Sequence, residues 1–132
     1  MGVFAQNEIL NLNPKPGNFF IVNLDFSFEN GSHWIAFKFK KSQIEIYDSL
    51  GMNVYGWLRK PFHALQFLFK FSKTHSIFLT PQLQNSFSNL CGVYVLFFLL
   101  TNLNLNESLS YFTHCRKTND ILLLQLLTGD SN

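Results

Sequence analysis

Hydrophobic and polar positions follow a two-residue period in the first half of the chain, which is typical of β-strands. In the clearest stretch, odd-numbered positions from His33 to Phe39 share one face, and even-numbered positions from Trp34 to Lys40 share the other. Met1–Gly17 has little periodicity and is predicted to end in a turn at its two prolines. Strand-forming residues predict four strands: Phe19–Phe26, His33–Phe39, Ile44–Asp48 and Ser76–Leu79.

The second and third of these stretches are short and close together, which predicts a β-hairpin. The Glu29–Ser32 segment predicts a turn before it. A loop centred between Lys40 and Lys41, with four residues more suitable than two, would place His33 opposite Asp48. Directly opposed residues lie about 5 Å apart at Cβ, close enough for an imidazole–carboxylate hydrogen bond. A change of one residue in the loop would shift this register and break the pairing.

Apolar spacings later in the chain predict helices. Asn53 is the expected N-cap of a segment from Val54 to Phe71, which Pro61 should interrupt. The apolar run after Cys91 predicts a helix to about Thr101 that is buried nearly all round. Two further helices are expected, one capped by Asn106 and ending near Cys115, and one capped by Asn119 or Asp120 and running through Leu127 to a stop at Gly129.

Composition limits the class of protein. The 132 residues suffice for one domain, and 47% hydrophobic residues with 16 Phe exclude a disordered tail. A formal charge of +2 is too small to indicate nucleic-acid binding by itself. No apolar run reaches the ~18 residues of a membrane span, and no signal-peptide pattern is present. Two cysteines make no disulfide framework, so a reducing, intracellular setting is expected.

The most informative stretch for chemistry runs from Gln84 to Phe98. A polar, turn-prone segment leads into Cys91 and Gly92, and the apolar run follows at once. At a helix N-terminus, unpaired N–H groups and the macrodipole would favour the Cys91 thiolate. Gly92 would leave open backbone beside the sulfur for a substrate carbonyl. A nucleophilic cysteine is therefore the leading hypothesis.

Three other residues complete a set for thiol chemistry. His33 would accept the proton, Asp48 would orient the imidazole, and Gln84 with the Cys91 backbone N–H would stabilise the oxyanion. A glutamine suits this role because its NH₂ group donates without adding a charge. Taken singly, each residue also has a structural explanation: a buried cysteine, a turn histidine, a strand-end aspartate and a polar loop residue. Gln82 is an alternative to Gln84.

Read together, three motifs resemble those of the adenovirus protease (adenain) family. Its relatives include proteases of Polinton/Maverick-type virus-like elements and SUMO-specific proteases. The motifs are Gly31-Ser32-His33-Trp34, Tyr47-Asp48-Ser49-Leu50-Gly51, and Gln84 through Cys91-Gly92-Val93-Tyr94. The resemblance implies an α+β, papain-like cysteine protease fold with permuted order, in which a small mixed or antiparallel sheet packs against a central helix beginning at Cys91. Residues 1–132 would form one domain, with its core at about 19–128.

Carried over residue by residue, the resemblance implies a His33–Asp48–Cys91 triad with Gln84 in the oxyanion hole. It also implies that Trp34 walls the substrate groove, with Gly92 beside the nucleophile. Gln84 precedes Cys91 by seven positions, as in adenain-like enzymes. Asp48 departs from adenain, in which the acid is Glu, and matches the SUMO-specific branch.

The function implied is a cysteine endopeptidase that cleaves viral precursor proteins during virion maturation. Its polypeptide substrates would be viral structural precursors, and it would act in the virion and the host-cell interior, in nucleus or cytoplasm. The alternatives are an isopeptidase acting on ubiquitin-like tails and an inactive protease-like interaction domain. No membrane association is expected.

No cofactor or metal is expected, since Cys115 beside His114 lacks metal-ligand spacing. The reduced length leaves a DNA or peptide activator of the adenain kind unsupported. The lysines are expected to form a solvated surface, with a DNA-facing strip as the alternative: Lys38, Lys40, Lys41, Lys60, Lys70 and Lys73.

Overall fold

The structure is a computed structural model that describes residues 1–25, 33–51, 63–102 and 104–129. In this part of the chain a five-stranded mixed sheet is flanked by helices on both faces, which makes the protein a mixed α/β molecule consistent with the α+β class. The strands are β1 (Gly2–Ala5), β2 (Phe19–Asn23), β3 (Trp34–Phe39), β4 (Gln43–Tyr47) and β5 (Ser76–Leu79). The α-helices are α1 (His63–Phe69), α2 (Cys91–Thr101), α3 (Leu105–Leu109) and α4 (Arg116–Thr128).

The strands lie in chain order across the sheet. The three central strands β2, β3 and β4 are antiparallel, and each edge strand runs parallel to its neighbour. All four predicted strands are present within a few residues of their predicted ends. The prediction missed β1, which adds Gly2–Ala5 to the sheet and is followed by a 3₁₀ turn at Gln6–Glu8.

The predicted hairpin exists, but its register was wrong. Ala36 pairs with Tyr47 and Phe39 with Ile44, and the Lys40 amide donates to the Gln43 carbonyl at 2.8 Å. The turn is therefore centred one residue later than predicted. Each β3 residue pairs with a β4 residue two positions later in the chain than predicted, so His33 is not directly opposite Asp48. Because the shift is an even number of residues, the two side chains still point to the same face.

Each face of the sheet covers its own hydrophobic core. On one face, Phe67 of α1 packs against Phe37 and Phe39, with ring centroids 5.8 and 5.9 Å apart. On the other face, Phe98 of α2 packs on Tyr47, with a centroid separation of 4.4 Å. The alternation in β3 explains both cores, since odd positions feed the first and even positions the second.

The predicted helix from Cys91 to Thr101 is confirmed at both ends. It is not buried all round, because Leu96 and Leu100 are exposed on its outer side. Its C-cap is Asn102, with a φ of 49° in the left-handed region that Asn tolerates.

The later helix starts were wrong. The α3 helix is capped by Asn104, not Asn106, and ends at Leu109, well before Cys115. The N-cap of α4 is Cys115, and Asn119 lies inside that helix and is fully buried. Asn119 does not cap this helix, because its amide donates to the carbonyls of Leu83 and Thr113 in the loops. The predicted stop at Gly129 is confirmed, with a φ of 71°.

Some predictions lie outside the described residues: the end of the first predicted strand at Phe26, the turn at Glu29–Ser32, the cap at Asn53, and the interruption at Pro61. Of the helix predicted from Val54 to Phe71, the described part is α1. None of the helices in the described ranges combines the length and apolar character needed to cross a bilayer.

Candidate active site

Three elements converge at one end of the sheet. Because β3 and β4 are antiparallel, His33 before the start of β3 and Asp48 after the end of β4 lie at the same end of the sheet. The first residue of α2, Cys91, approaches this end from the face that carries Trp34 and Ala36. The fold thus gathers three residues that are far apart in the chain.

His33 and Asp48 form a buried hydrogen-bonded pair. His33 Nε2 lies 2.8 Å from Asp48 Oδ1, with 8% of His33 and none of Asp48 exposed to solvent. The His33 backbone is fixed to β2, since its carbonyl accepts from the Leu24 amide at 2.9 Å. Burial strengthens the pairing because water cannot compete for either partner.

Hydrogen bonds hold both the backbone and the carboxylate of Asp48. Its backbone N–H donates to Thr80 Oγ1 at 2.9 Å, and the Thr80 hydroxyl donates to its carbonyl at 2.7 Å. Its carboxylate Oδ1 also accepts from the Leu50 amide at 3.0 Å. Three hydrogen bonds with Thr80 and Leu50 therefore fix Asp48 with its carboxylate toward His33, and the imidazole is oriented through it.

The Cys91 sulfur lies within hydrogen-bonding reach of the same imidazole. Asp48 engages Nε2, and Nδ1 is buried with no hydrogen-bond partner of ordinary geometry among the described residues, so Nδ1 is the nitrogen available to the sulfur. This arrangement matches that of a nucleophile, a base and a residue that orients the base.

The two pKa values move toward an ion pair. Burial opposes the charged form of His33, but hydrogen bonds with Asp48 and Cys91 outweigh it and raise the His33 pKa to about 9. Burial also disfavours the Cys91 thiolate, yet the hydrogen bond with His33 and those with the backbone at Trp34 and Gly92 lower the Cys91 pKa below its usual value. The position of Cys91 at the start of α2 acts in the same direction.

The carboxamide of Gln84 is buried and oriented. The Ser49 hydroxyl donates to Gln84 Oε1 at 2.6 Å, and Gln84 Nε2 donates to the Ser88 carbonyl at 2.9 Å. An NH₂ group carries two hydrogens, so this second bond uses only one of them. Gln84 is therefore built as a rigid, neutral N–H donor in the loop that leads to Cys91.

The alternative glutamine is committed elsewhere. Gln82 Nε2 donates to the Gln84 carbonyl at 3.1 Å and to Ser86 Oγ at 2.8 Å. Both bonds stay within the loop itself, and both use the donor hydrogens of the Gln82 amide. This geometry favours Gln84 over Gln82 as the candidate oxyanion donor.

An apolar pocket of about 200 Å³ lies next to Cys91, with the adjacent Gly92 among its lining residues. Trp34 and Gly92 form its inner wall, where a Cβ added to Gly92 would meet the Trp34 ring at 3.4 Å, an ordinary van der Waals distance. The remaining lining residues are Val3, Ile21, Val95 and Leu96. The missed strand β1 thus contributes to a surface next to the candidate site.

Several residues that fix the site escaped the sequence reasoning. The sequence motifs include Ser49 without indicating its role, they do not include Thr80, and they predict Asn119 as a helix cap. Asn119 Nδ2 donates to the Leu83 carbonyl at 3.1 Å and so attaches α4 to the loop that carries Gln84. The local signal for Ser49 was its place directly after Asp48. Thr80 had no local signal, because its partner Asp48 lies 32 positions away, and the bond from Asn119 to Leu83 spans 36 positions.

Cys115 lies apart from this cluster and is exposed. Within the described residues, no group of three or more His, Cys, Asp or Glu side chains could hold a metal ion.

Three of the lysines make contacts within the protein. Lys40 pairs with Glu45 at 3.1 Å, Lys38 bonds to Asn102, and Lys70 donates to the Leu10 carbonyl. Lys60 lies outside the described ranges.

Comparison with known proteins adds no relative to this picture. No protein-family model matches the chain, and a search of curated proteins finds no match.

Proposed function

We propose that the chain is a cysteine endopeptidase with a papain-like fold in permuted order. The observation that carries the proposal is a single buried imidazole bonded to a buried carboxylate at 2.8 Å and in contact with a thiol at a helix start. A buried Cys–His–Asp set is the arrangement that nucleophilic thiol catalysis requires. The motif resemblance to the adenain family, which these same residues carry, points to the same class.

In the proposed first half-reaction, His33 holds the proton of Cys91 as imidazolium, and the thiolate attacks the carbonyl carbon of a peptide bond. The electrons of the C=O bond move to oxygen, which becomes an oxyanion. Gln84 Nε2 and the Cys91 backbone N–H donate to it. His33 then protonates the departing amine as the C–N bond breaks, leaving an acyl-thioester on Cys91.

In the second half-reaction, a water molecule attacks the thioester carbonyl while His33 takes its proton. A second oxyanion forms at the same donors and collapses, releasing the carboxylic acid and the Cys91 thiolate. The Asp48 carboxylate accepts from the imidazole and stabilises each imidazolium state. Because Asp48 is fixed by Thr80 and Leu50, it does so without reorienting.

The substrate in this proposal is a polypeptide. Trp34 and Gly92 would contact it beside the scissile bond, and the adjacent pocket is lined by apolar side chains, so an apolar substrate residue is expected there. Viral structural precursors as the natural substrates, and the virion and host-cell interior as the place of action, rest on the motif resemblance.

The proposal is tested with purified protein and two substrate panels, one of fluorogenic peptides and one of ubiquitin-like proteins carrying C-terminal extensions. We expect hydrolysis of peptides with apolar residues near the cleavage site, which Cys91→Ala abolishes and the matched variant Cys115→Ala retains. Cleavage confined to the ubiquitin-like panel would assign an isopeptidase. A folded protein that is inactive on both panels, with a Cys91 no more reactive than Cys115, would contradict the proposal and favour an interaction domain.

A further inference from the structure

Ser49 holds Gln84 through both its main chain and its side chain. The Ser49 carbonyl accepts from the Leu83 amide at 2.8 Å and from the Gln84 amide at 2.9 Å. The Ser49 hydroxyl donates to the side-chain oxygen of Gln84 at 2.6 Å. Ser49 directly follows Asp48, so the segment that presents the acid also orients the candidate oxyanion donor.

The orientation of a carboxamide matters because its two ends have opposite roles. Rotation by 180° would exchange the donor Nε2 and the acceptor Oε1, and Gln84 would then present a lone pair where a donor is needed. The Ser88 carbonyl can only accept, so it selects the orientation in which Nε2 points toward it. The Ser49 hydroxyl engages the opposite end of the amide and completes the restraint.

Burial makes this restraint hard to replace. Gln84 is 1% exposed and Ser49 is 2% exposed. Without the hydroxyl, Oε1 would be left in a buried site with no partner, and water would not readily take its place. The amide would then populate other rotamers to satisfy its oxygen. An oxyanion donor stabilises the transition state only when it is already oriented, so this mobility would lower turnover.

We propose that Ser49 is a positioning residue that fixes the Gln84 carboxamide with its donor end toward the reacting carbonyl. This inference rests on the proposed hydrolase function. Ser49 acts through Gln84 and does not touch the substrate. It also does not set the reactivity of the Cys91 thiolate, which depends on His33 and on the backbone at Trp34 and Gly92.

This division of roles gives a test that separates positioning from stability. Ser49→Ala is expected to lower kcat for peptide hydrolysis by about 10- to 100-fold, a part of the 10²–10³-fold effect of losing one oxyanion donor, with little change in KM. The rate at which iodoacetamide alkylates Cys91 should stay within about twofold of wild type, because displacement at an sp³ carbon forms no oxyanion. A variant that was merely misfolded would lose both activities.

A matched control is available in the same protein. Ser108 is fully buried in α3, and its hydroxyl has no hydrogen-bond partner among the described residues. Ser108→Ala removes the same oxygen atom from an equally buried place away from the site. It should leave kcat, KM and the alkylation rate unchanged. Equal losses in Ser49→Ala and Ser108→Ala would overturn the proposal.

A double-mutant comparison completes the test. In a Gln84→Ala background, Ser49→Ala should cause no further loss of kcat, because there is no amide left to orient. Ser49→Thr keeps a hydroxyl and should retain kcat within about threefold. An unchanged kcat in Ser49→Ala, or a full loss in the Gln84→Ala background, overturns this assignment while the proposed function stands. A wild-type protein that hydrolyses no substrate overturns both.

Discussion

The two cysteines of this protein begin two helices and yet have different surroundings. Cys91 is the first residue of α2, and Cys115 is the N-cap of α4. Both thiols have pKa values below the usual one. For Cys115 the main cause is the hydrogen bond from Thr118, whose hydroxyl lies 3.1 Å from the sulfur.

The difference between them is the presence of a base. Cys91 is buried against His33, which a fixed carboxylate orients, whereas Cys115 is exposed to solvent beside a hydroxyl that can donate but cannot take up its proton at neutral pH. A helix start and a nearby donor stabilise a thiolate slightly. Proton transfer also needs a base, and the structure places the His33 imidazole, oriented by Asp48, beside Cys91. The comparison therefore teaches that helix position alone does not identify a nucleophile.

The largest expected effect comes from removing the base. His33→Ala should lower peptide turnover by about 1,000-fold or more and the alkylation rate of Cys91 at pH 7 by about 100-fold. Without the imidazole, burial raises the pKa of the Cys91 thiol unopposed by its main partner. Mass spectrometry of iodoacetamide-labelled peptides reports both cysteines in one sample. Cys115 serves as the internal reference, and equal slowing at both cysteines would mean that the effect is not local.

The next effect concerns the acid. Asp48→Asn should lower kcat by about 10- to 100-fold and leave the fold intact, because Asn keeps the shape and can still bond to Leu50. The hydrogen bond with the Asp48 carboxylate raises the His33 pKa. Losing the carboxylate should therefore move the alkaline limb of the pH–rate profile from about pH 9 to lower pH.

Glu45→Gln is the control for this substitution. Glu45 is another buried carboxylate of β4, but it accepts from the Leu105 amide at 2.9 Å on the opposite face. Glu45→Gln should change neither kcat nor the pH profile. Unchanged turnover in Asp48→Asn would mean that the orienting acid lies elsewhere.

The smallest expected effect concerns the surroundings of Cys115. Thr118→Val removes the hydroxyl that lies against Cys115, so the Cys115 pKa should rise and its alkylation at pH 7 should slow by about two- to threefold. Cys91 labelling and peptide turnover should not change. A loss of turnover in this variant would show that α4 influences the site through more than its anchor at Asn119.

Local patterns predicted four of the five strands in the described residues and the α2 helix. Alternation identified the central strands, and the apolar run after Cys91 identified α2. The strand β1 was missed because Gly2–Ala5 is short and is recognisable only through its pairing with β2. The α4 start was misplaced because Asn119 resembles a cap in sequence but bonds to Leu83, which is far away in the chain.

The site was predictable in part for a geometric reason. His33 and Asp48 were expected to be directly opposed, and the actual register places them two positions apart, yet they bond at 2.8 Å. Because the register shift is an even number of residues, both side chains stay on one face of the sheet. Both residues also lie just beyond the ends of their strands. The restraints from Ser49 and Thr80 were not predictable, since a hydroxyl has many local partners and only tertiary structure selects one.

The most direct test of the central claim is the pH dependence of alkylation at the two cysteines, measured together between pH 5 and 10. Cys91 alkylation should continue well below the usual cysteine pKa, and its rate should change again near pH 9 as His33 loses its proton. In His33→Ala, Cys91 should instead show a single thiol titration at higher pH. A Cys91 profile that is identical in wild type and His33→Ala would contradict the existence of a coupled thiolate–imidazolium pair.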